Sequence, residues 1–342
     1  MAMIERDDLA ATEALVSGFS PPDFPPPPAT DAALANADAI SRAWTSDHVG
    51  PLRPGSEEHK RDVCRMFRET FNPYRPSVIA WPKLRPEELQ RLTSLPIWDI
   101  AVHTEGRARL RFAAYAKCVA DCDMQAAIML NAWEENRHKE VLSKLVEAYG
   151  IALAPEPAYE YPPNVERAYL FTGYSECIDS FFAFGLFELA RQSGFFPPEL
   201  VETFEPVMQE ECRHILLFAN WLAWHRASLP WWRRLVFEAR VAAVWAAIAR
   251  DRIGMARGIG AKENAPHDNS NFTVKGASAL SPIEFGVRDL MQLCLQENDR
   301  RFAGYDNRFV RPKTVPALIR LALFISRPWA RSRARGRLQP VD

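Results

Sequence analysis

The chain has 342 residues, of which 48% are apolar, enough to fill a sizeable core and to exclude wholesale disorder. Its 42 lysines and arginines against 43 aspartates and glutamates give a formal net charge of −1, so no global positive field points to nucleic acid as a partner. The longest strictly apolar run of the C-terminal half, the nine residues Val241 to Ala249, falls well short of the roughly 20 that span a bilayer, so no transmembrane helix is expected. The opening Met1-Ala-Met-Ile-Glu-Arg-Asp-Asp8 is acidic where a secretory signal would be basic, which predicts a cytoplasmic protein. The six cysteines contain no Cys-x-x-Cys pair and read as reduced, mostly buried thiols rather than a zinc ribbon or a dithiol redox site.

Residues 1 to about 55 are weakly patterned and include the proline-rich run Ser20 to Pro28, which suits neither a helix interior nor a central strand. An extended arm of about residues 1–60 is expected, with a short helix near 30–45. From about residue 85 the chain becomes rich in alanine, leucine, glutamate and arginine, with apolar residues three and four apart. The spacing predicts helices over 97–119, 123–149, 165–192 and 198–225, the second stopped by Gly150 and the third by Gly194 with Pro197-Pro198 beyond. The loop Ala154 to Pro163 is long enough for a crossover. Further helices are expected near 231–253, 282–303 and 315–326, with a polar loop at about 257–281. The fold class is all-α: a helical bundle over 61–260, and C-terminal helices with a basic tail over 261–342.

Two pentapeptides stand out, Glu134-Glu135-Asn136-Arg137-His138 and Glu210-Glu211-Cys212-Arg213-His214. Each sits mid-helix, and Glu-x-x-His places a carboxylate and an imidazole one turn apart on one face, able to reach the same metal. One such pair is weak evidence, whereas two independent copies of the longer pattern would arise by chance on the order of 10⁻⁵. In the first helix Met124, Ile128, Asn131, Glu135, His138, Leu142 and Leu145 share a seam; in the second, Phe204, Val207, Glu211, His214, Phe218 and Trp221 do. The ligand-type residues therefore face the core, where a bare carboxylate costs several kcal/mol unless compensated. Two further carboxylates would complete a two-metal site, and hairpin geometry nominates them. Glu105 and Glu135 lie equidistant from residue 120, beside the expected turn at Asp121 to Asp123, and the midpoint of Glu176 and Glu211 falls beside Gly194. The competing Glu188 would stand ~13 Å out of level with Glu211.

The set Glu105, Glu135-x-x-His138, Glu176 and Glu211-x-x-His214 resembles the ferritin-like di-iron carboxylate superfamily, whose four-helix bundle holds two metals in this pattern. The resemblance covers roughly residues 97–225. Within the superfamily, Glu134 to His138 is similar to the corresponding motif of soluble acyl-carrier-protein desaturases. What this implies is that Glu135 and Glu211 bridge two metal ions, Glu105 and Glu176 are terminal ligands, and His138 and His214 take one metal each. The arylamine N-oxygenase branch adds a histidine one turn before the second Glu-x-x-His, where this chain has Val207. The missing Cys-x-x-Cys departs from rubrerythrins.

The activity expected from the resemblance is dioxygen-dependent oxidation of a small apolar or aromatic substrate by hydroxylation, desaturation or N-oxygenation. Two irons, or one manganese and one iron, would serve as cofactor, with an external reductase or ferredoxin as electron donor and a homodimer as the assembly. The alternative is iron handling, as ferroxidase, storage protein or peroxide scavenger. A metal-free bundle would leave six buried polar groups without partners. Glu134 with Arg137, and Glu210 with Arg213, read either as surface ion pairs or as groups that orient the histidines. Asp179 reads as support for Glu176 or as the partner of a basic neighbour. His103 points away from the metal positions, His225 lies three turns past His214 and is too far for the same metal, and Tyr115 and Tyr174 default to core. Pro206 predicts a kink near the site. The 231–253 helix mixes Trp and Arg, and the nine basic residues from Arg308 to Arg337, with no acidic one, suit a solvated tail or an anionic partner.

Overall fold

In the computed structural model, which describes residues 31–342 apart from 73, 75–78, 157, 259–285 and 326–342, the regular structure is helical. No strand forms among the described residues beyond an isolated bridge between Trp44 and Tyr305. The helices are α1 (Asp31–Ser41), α2 (Glu57–Glu69), α3 (Pro86–Thr93), α4 (Trp98–Ala116), α5 (Cys122–Ala148), α6 (Val165–Ser193), α7 (Pro198–Thr203), α8 (Glu205–Ser228), α9 (Trp231–Gly258), α10 (Val287–Phe302) and α11 (Thr314–Ile325). Among the described residues none is long and apolar enough to cross a membrane. The proline-rich segment 20–28 and the polar loop after residue 258 lie outside the described residues.

Local sequence sets the main boundaries. The Asp121 carboxylate accepts the Met124 amide at 2.9 Å and starts α5, and the Asn164 side chain does the same for Arg167 at 2.9 Å at the head of α6. Gly150 and Gly194 follow the two helices at φ of +63° and +62°, the left-handed conformation that glycine adopts without strain. The turn between α4 and α5 therefore falls where the hairpin argument requires it.

Two elements differ from expectation. The single helix expected over 198–225 is broken at Phe204 into α7 and α8, and Pro206 lies in the first turn of α8, where its missing N–H would be unpaired anyway. The proline marks a helix start rather than a kink. The second is α2, inside and beyond the stretch expected to be irregular. Ser56 caps it by accepting the His59 amide at 3.2 Å, Glu57 and Glu58 complement its dipole, and Val63, Cys64, Met66 and Phe67 are fully buried.

Around α6, the longest helix described, lie α4, α8, α9 and α10, while α4 runs along α5 and α8 also packs on α5 and α2. Below the polar cluster the core is aromatic. Tyr115 and Tyr169 stack at 4.1 Å, and Trp221 meets both edge-on at 5.3 and 4.6 Å. Tyr174 packs against Phe218 and Trp245. All six thiols are free, with Cys64, Cys212 and Cys294 buried, Cys177 half-buried, and Cys118 and Cys122 exposed.

Candidate metal centre

Glu135, His138, Glu211 and His214 converge, each offering a donor atom within 4.8 Å of the others. The two imidazole rings lie 5.3 Å apart. His214 Nδ1 is 2.7 Å from Glu135 Oε1, and His138 Nδ1 is 3.2 Å from Glu211 Oε1. Glu105 on α4 brings Oε2 to 3.8 Å from His138 Nδ1. Glu176 on α6 is buried near Glu135 and Glu211, and their charges press on it. Four of the six residues singled out in the sequence thus converge, and Glu105 and Glu176 line the same cavity as Glu135, His138 and Glu211.

Behind each histidine stands the other motif. His138 Nε2 is 2.8 Å from Glu210 Oε2 and His214 Nε2 is 2.8 Å from Glu134 Oε2, so each imidazole is held by a glutamate from the opposite helix. Arg137 donates to Glu210 at 2.5 Å, and Arg213 donates to Glu134 at 2.6 Å. These ion pairs are buried on both sides. Arg137 also donates to the carbonyls of Asn72 and Tyr74, with its guanidinium 4.1 Å from the Tyr74 ring centroid, and the Tyr74 hydroxyl donates to Glu210 at 3.3 Å. Arg213 donates to Thr70 at 2.8 Å and to the Phe67 carbonyl, both supplied by the α2 segment. The first Glu and the Arg of each pentapeptide are therefore not surface pairs; their short contacts cross between helices, and Arg137 also lies 3.6 Å from Glu134 on its own helix. The repeat of both residues in both motifs was the sequence signal for this role.

The inner face is the reverse. His138 Nδ1, His214 Nδ1, Glu135 Oε1 and both carboxylate oxygens of Glu176 are buried without a hydrogen bond. Nδ1 of His214 and Oε1 of Glu135 are close, yet their geometry is not that of a hydrogen bond. Buried polar atoms are nearly always paired, and each unpaired one costs ~1–3 kcal/mol. Lone pairs from two imidazoles and two carboxylates that point into one space and miss each other fit a shared cation. The donor set, nitrogen and carboxylate oxygen with no thiolate, suits iron or manganese among redox metals.

Electrostatics repeat the division. Burial works against the charge of Glu134, but Arg213 and His214 outweigh it and hold its carboxyl at about 2. Burial, then the neighbouring charges of Glu105 and Glu211, push Glu135 well above the carboxylate range, and burial with Glu135 and Glu211 does the same to Glu176. His138 resists the downward pull of burial because Glu105, Glu210 and Glu211 surround it, and its pKa is raised well above 6.5. Burial raises Glu211, but His138 and a hydrogen bond from Ser180 at 3.0 Å bring it below its ordinary value. Ser180 carried no signal in the sequence.

Glu105 and Glu211 keep 20% and 13% side-chain exposure, and both line a cavity of about 290 Å³. Away from the carboxylates its wall is apolar, with Leu92, Trp98, Leu145, Phe187, Leu200 and Phe204 among the lining residues. A second hollow, of about 880 Å³ beneath the 153–163 loop, shares Thr104, Arg107, Arg111 and Phe171 with it. Of the remaining candidates Asp179 lines the cavity but is engaged in an ion pair, and the others sit elsewhere. Asp179 pairs with Arg252 at 2.7 Å, Glu188 with Arg191 at 2.5 Å, His103 stacks on Tyr159, and His225 stacks on Trp221. Val207 lines the cavity one turn before Glu211.

No protein-family model matches the chain, and no curated protein and no solved structure shows significant similarity to it. A buried carboxylate and histidine cluster in an all-helical protein is what geometry alone establishes.

Proposed function

We propose that the protein is a ferritin-like di-iron oxidoreductase that uses dioxygen to oxidise an apolar or aromatic molecule held in the cavity beside Glu105 and Glu211. The observation that carries this reading is the set of buried, unpaired donor atoms on His138, His214, Glu135 and Glu176, all directed into one space. Glu135 and Glu211 would bridge two ions, Glu105 and Glu176 would each bind one, and His138 and His214 would complete the set. Charge supports two ions: with Glu134 and Glu210 balanced by Arg213 and Arg137, four carboxylates remain, matched by two divalent cations. Two iron ions, or one manganese and one iron, supply the redox chemistry when bound.

The chain's own residues have defined parts. Glu134 and Glu210 fix the imidazoles with Nε2 outward and Nδ1 inward. Ser180 steadies one oxygen of Glu211. The apolar wall excludes water and places a hydrocarbon surface beside the ligands. Hydroxylation and desaturation both balance with one dioxygen, two electrons and two protons, so an external reductase or ferredoxin would supply what the substrate does not. Iron storage would want an acidic interior, and the leucine and phenylalanine lining argues against it.

The test is metal content per chain in protein from iron-replete cells, beside Glu135→Ala and Glu211→Ala. About two irons per chain, lost in both variants, is expected of this ligand set. Wild-type protein that holds almost no metal and resists reconstitution overturns the reading.

A further inference from the structure

Helix α9 has two apolar faces, and the fold covers one of them. Phe237, Val241, Val244 and Ile248 are buried in the core, with Phe237 edge-on to His225. On the opposite side Trp231, Trp232, Leu235, Val236 and Ile253 are 76%, 51%, 64%, 49% and 52% exposed, with five exposed alanines between Val236 and Arg250. At 3.6 residues per turn and 1.5 Å per residue these positions fill an arc of roughly 140° that runs about 33 Å along the helix. Among the described residues the arc carries one charge, Arg250. Charges beside it are answered within the chain: Arg240 by Glu166 at 2.6 Å, Glu238 by Arg226 at 2.7 Å and Arg252 by Asp179 at 2.7 Å.

The size of the arc and the order of its side chains indicate what covers it. Together its residues expose on the order of 800 Å², more than the roughly 300–600 Å² of the largest apolar patch on a typical monomer and about what each partner of a stable interface buries. The bulk lies at the start of the helix, in Trp231, Trp232, Leu235 and Val236, and from there the arc is small until Ile253. A lipid surface gains little from alanine, whereas alanine lets the backbone of a second helix come close. A copy of α9 laid antiparallel about a two-fold axis at Ala242 fits bulk to space. It sets Trp231 opposite Ile253 of the second copy, Leu235 opposite its Ala249, and Ala242 opposite its own equivalent. The same register brings Arg250 level, within a residue, with the half-exposed indole of Trp232 on the same side of the arc, so the one charge meets an aromatic face. A face that complements itself in this way is what a two-fold interface requires.

We infer that α9 joins two copies of this chain in an antiparallel two-fold dimer. This does not depend on the metal reading, and metal content is a control that α9 variants should leave unchanged. The experiment is sedimentation equilibrium of the full chain at micromolar concentration, where a dimer is expected. Ala242→Glu/Ala246→Glu puts like charges face to face at the axis and should weaken association about a hundredfold or more while helicity is unchanged. Arg250→Gln should weaken it about two- to fivefold. Register is read by cross-linking in a Cys118→Ser/Cys122→Ser background. Under mild oxidation Ala242→Cys should form an intermolecular disulfide, and Arg240→Cys, at the same height but off the arc, should not. The cross-link serves if the glutamates unfold the chain. A monomer at micromolar concentration, a dimer that the folded glutamate variant leaves intact, or a dimer in which Ala242→Cys fails to cross-link overturns the inference. So does a monomer that co-sediments with phospholipid vesicles, because the arc would then be covered by lipid.

Discussion

Glu134 and Glu176 both hold their carboxylate oxygens away from solvent near the same histidine cluster, yet their surroundings are opposite. Glu134 accepts from Arg213 and His214 and stays ionised, whereas Glu176 has no hydrogen bond on either oxygen and is driven toward its neutral form. The layer behind the imidazoles is electrostatically complete within the protein. The layer in front of them leaves donor atoms unpaired within the protein, where a cation could sit. A carboxylate's role here is thus set by which of its neighbours the fold supplies.

The largest effect should come from the outer layer. Glu134→Ala strands Arg213 in the core and should destabilise the metal-free protein by about 3–5 kcal/mol in chemical denaturation; a loss under about 1 kcal/mol would mean the layer is not self-sufficient. Next comes the seam between the helices that carry Glu176 and Glu211. A Cβ at Gly173 would lie 2.3 Å from the Phe218 ring, so Gly173→Ala should cost about 1–3 kcal/mol by overpacking and disturb metal uptake with it. Glu176→Gln should change metal-free stability by less than about 1 kcal/mol, because the native carboxyl is already held near its neutral form. Its metal content should nonetheless fall, a split that Glu134→Ala cannot produce.

The smallest effect is in the pH dependence, where the two layers have opposite signs. Glu134 is depressed to about 2, so its contribution is present above the ordinary carboxylate value and is lost as pH falls from about 4.5 toward 2. Glu135 and Glu176 are raised, so in metal-free protein the native state holds extra protons and stability declines as pH rises above the carboxylate range. His138, also raised, contributes in the same direction. Metal loading should therefore release protons, measurable by titration calorimetry in buffers of different ionisation enthalpy, and should abolish the decline.

Much of this could be read from the chain. Helix spacing, the expected turn at Asp121 to Asp123 and the stops at Gly150 and Gly194 are local signals, and they set the hairpins whose symmetry nominated Glu105 and Glu176. The reciprocal pairing could not be read this way, because Arg137 with Glu210 and Glu134 with Arg213 are 73 and 79 residues apart. Nothing near either position encodes its partner. The α2 helix was hidden by charge: Glu57-Glu58-His59-Lys60-Arg61-Asp62 masks a short apolar face that only tertiary packing reveals. The break at Phe204 turns on one proline whose position, at a helix start rather than an interior, is decided by packing of α7.

The exchange of glutamates between motifs also means that neither helical hairpin contains a finished half of the site. A chain cut at the Gly194 turn would yield two fragments, each with a histidine whose orienting carboxylate resides on the other and an arginine deprived of the carboxylate it bonds most closely. Neither fragment is a smaller version of the whole, and neither can be tuned on its own. A substitution at one pentapeptide is felt first at the histidine of the other, so the two must change together or not at all.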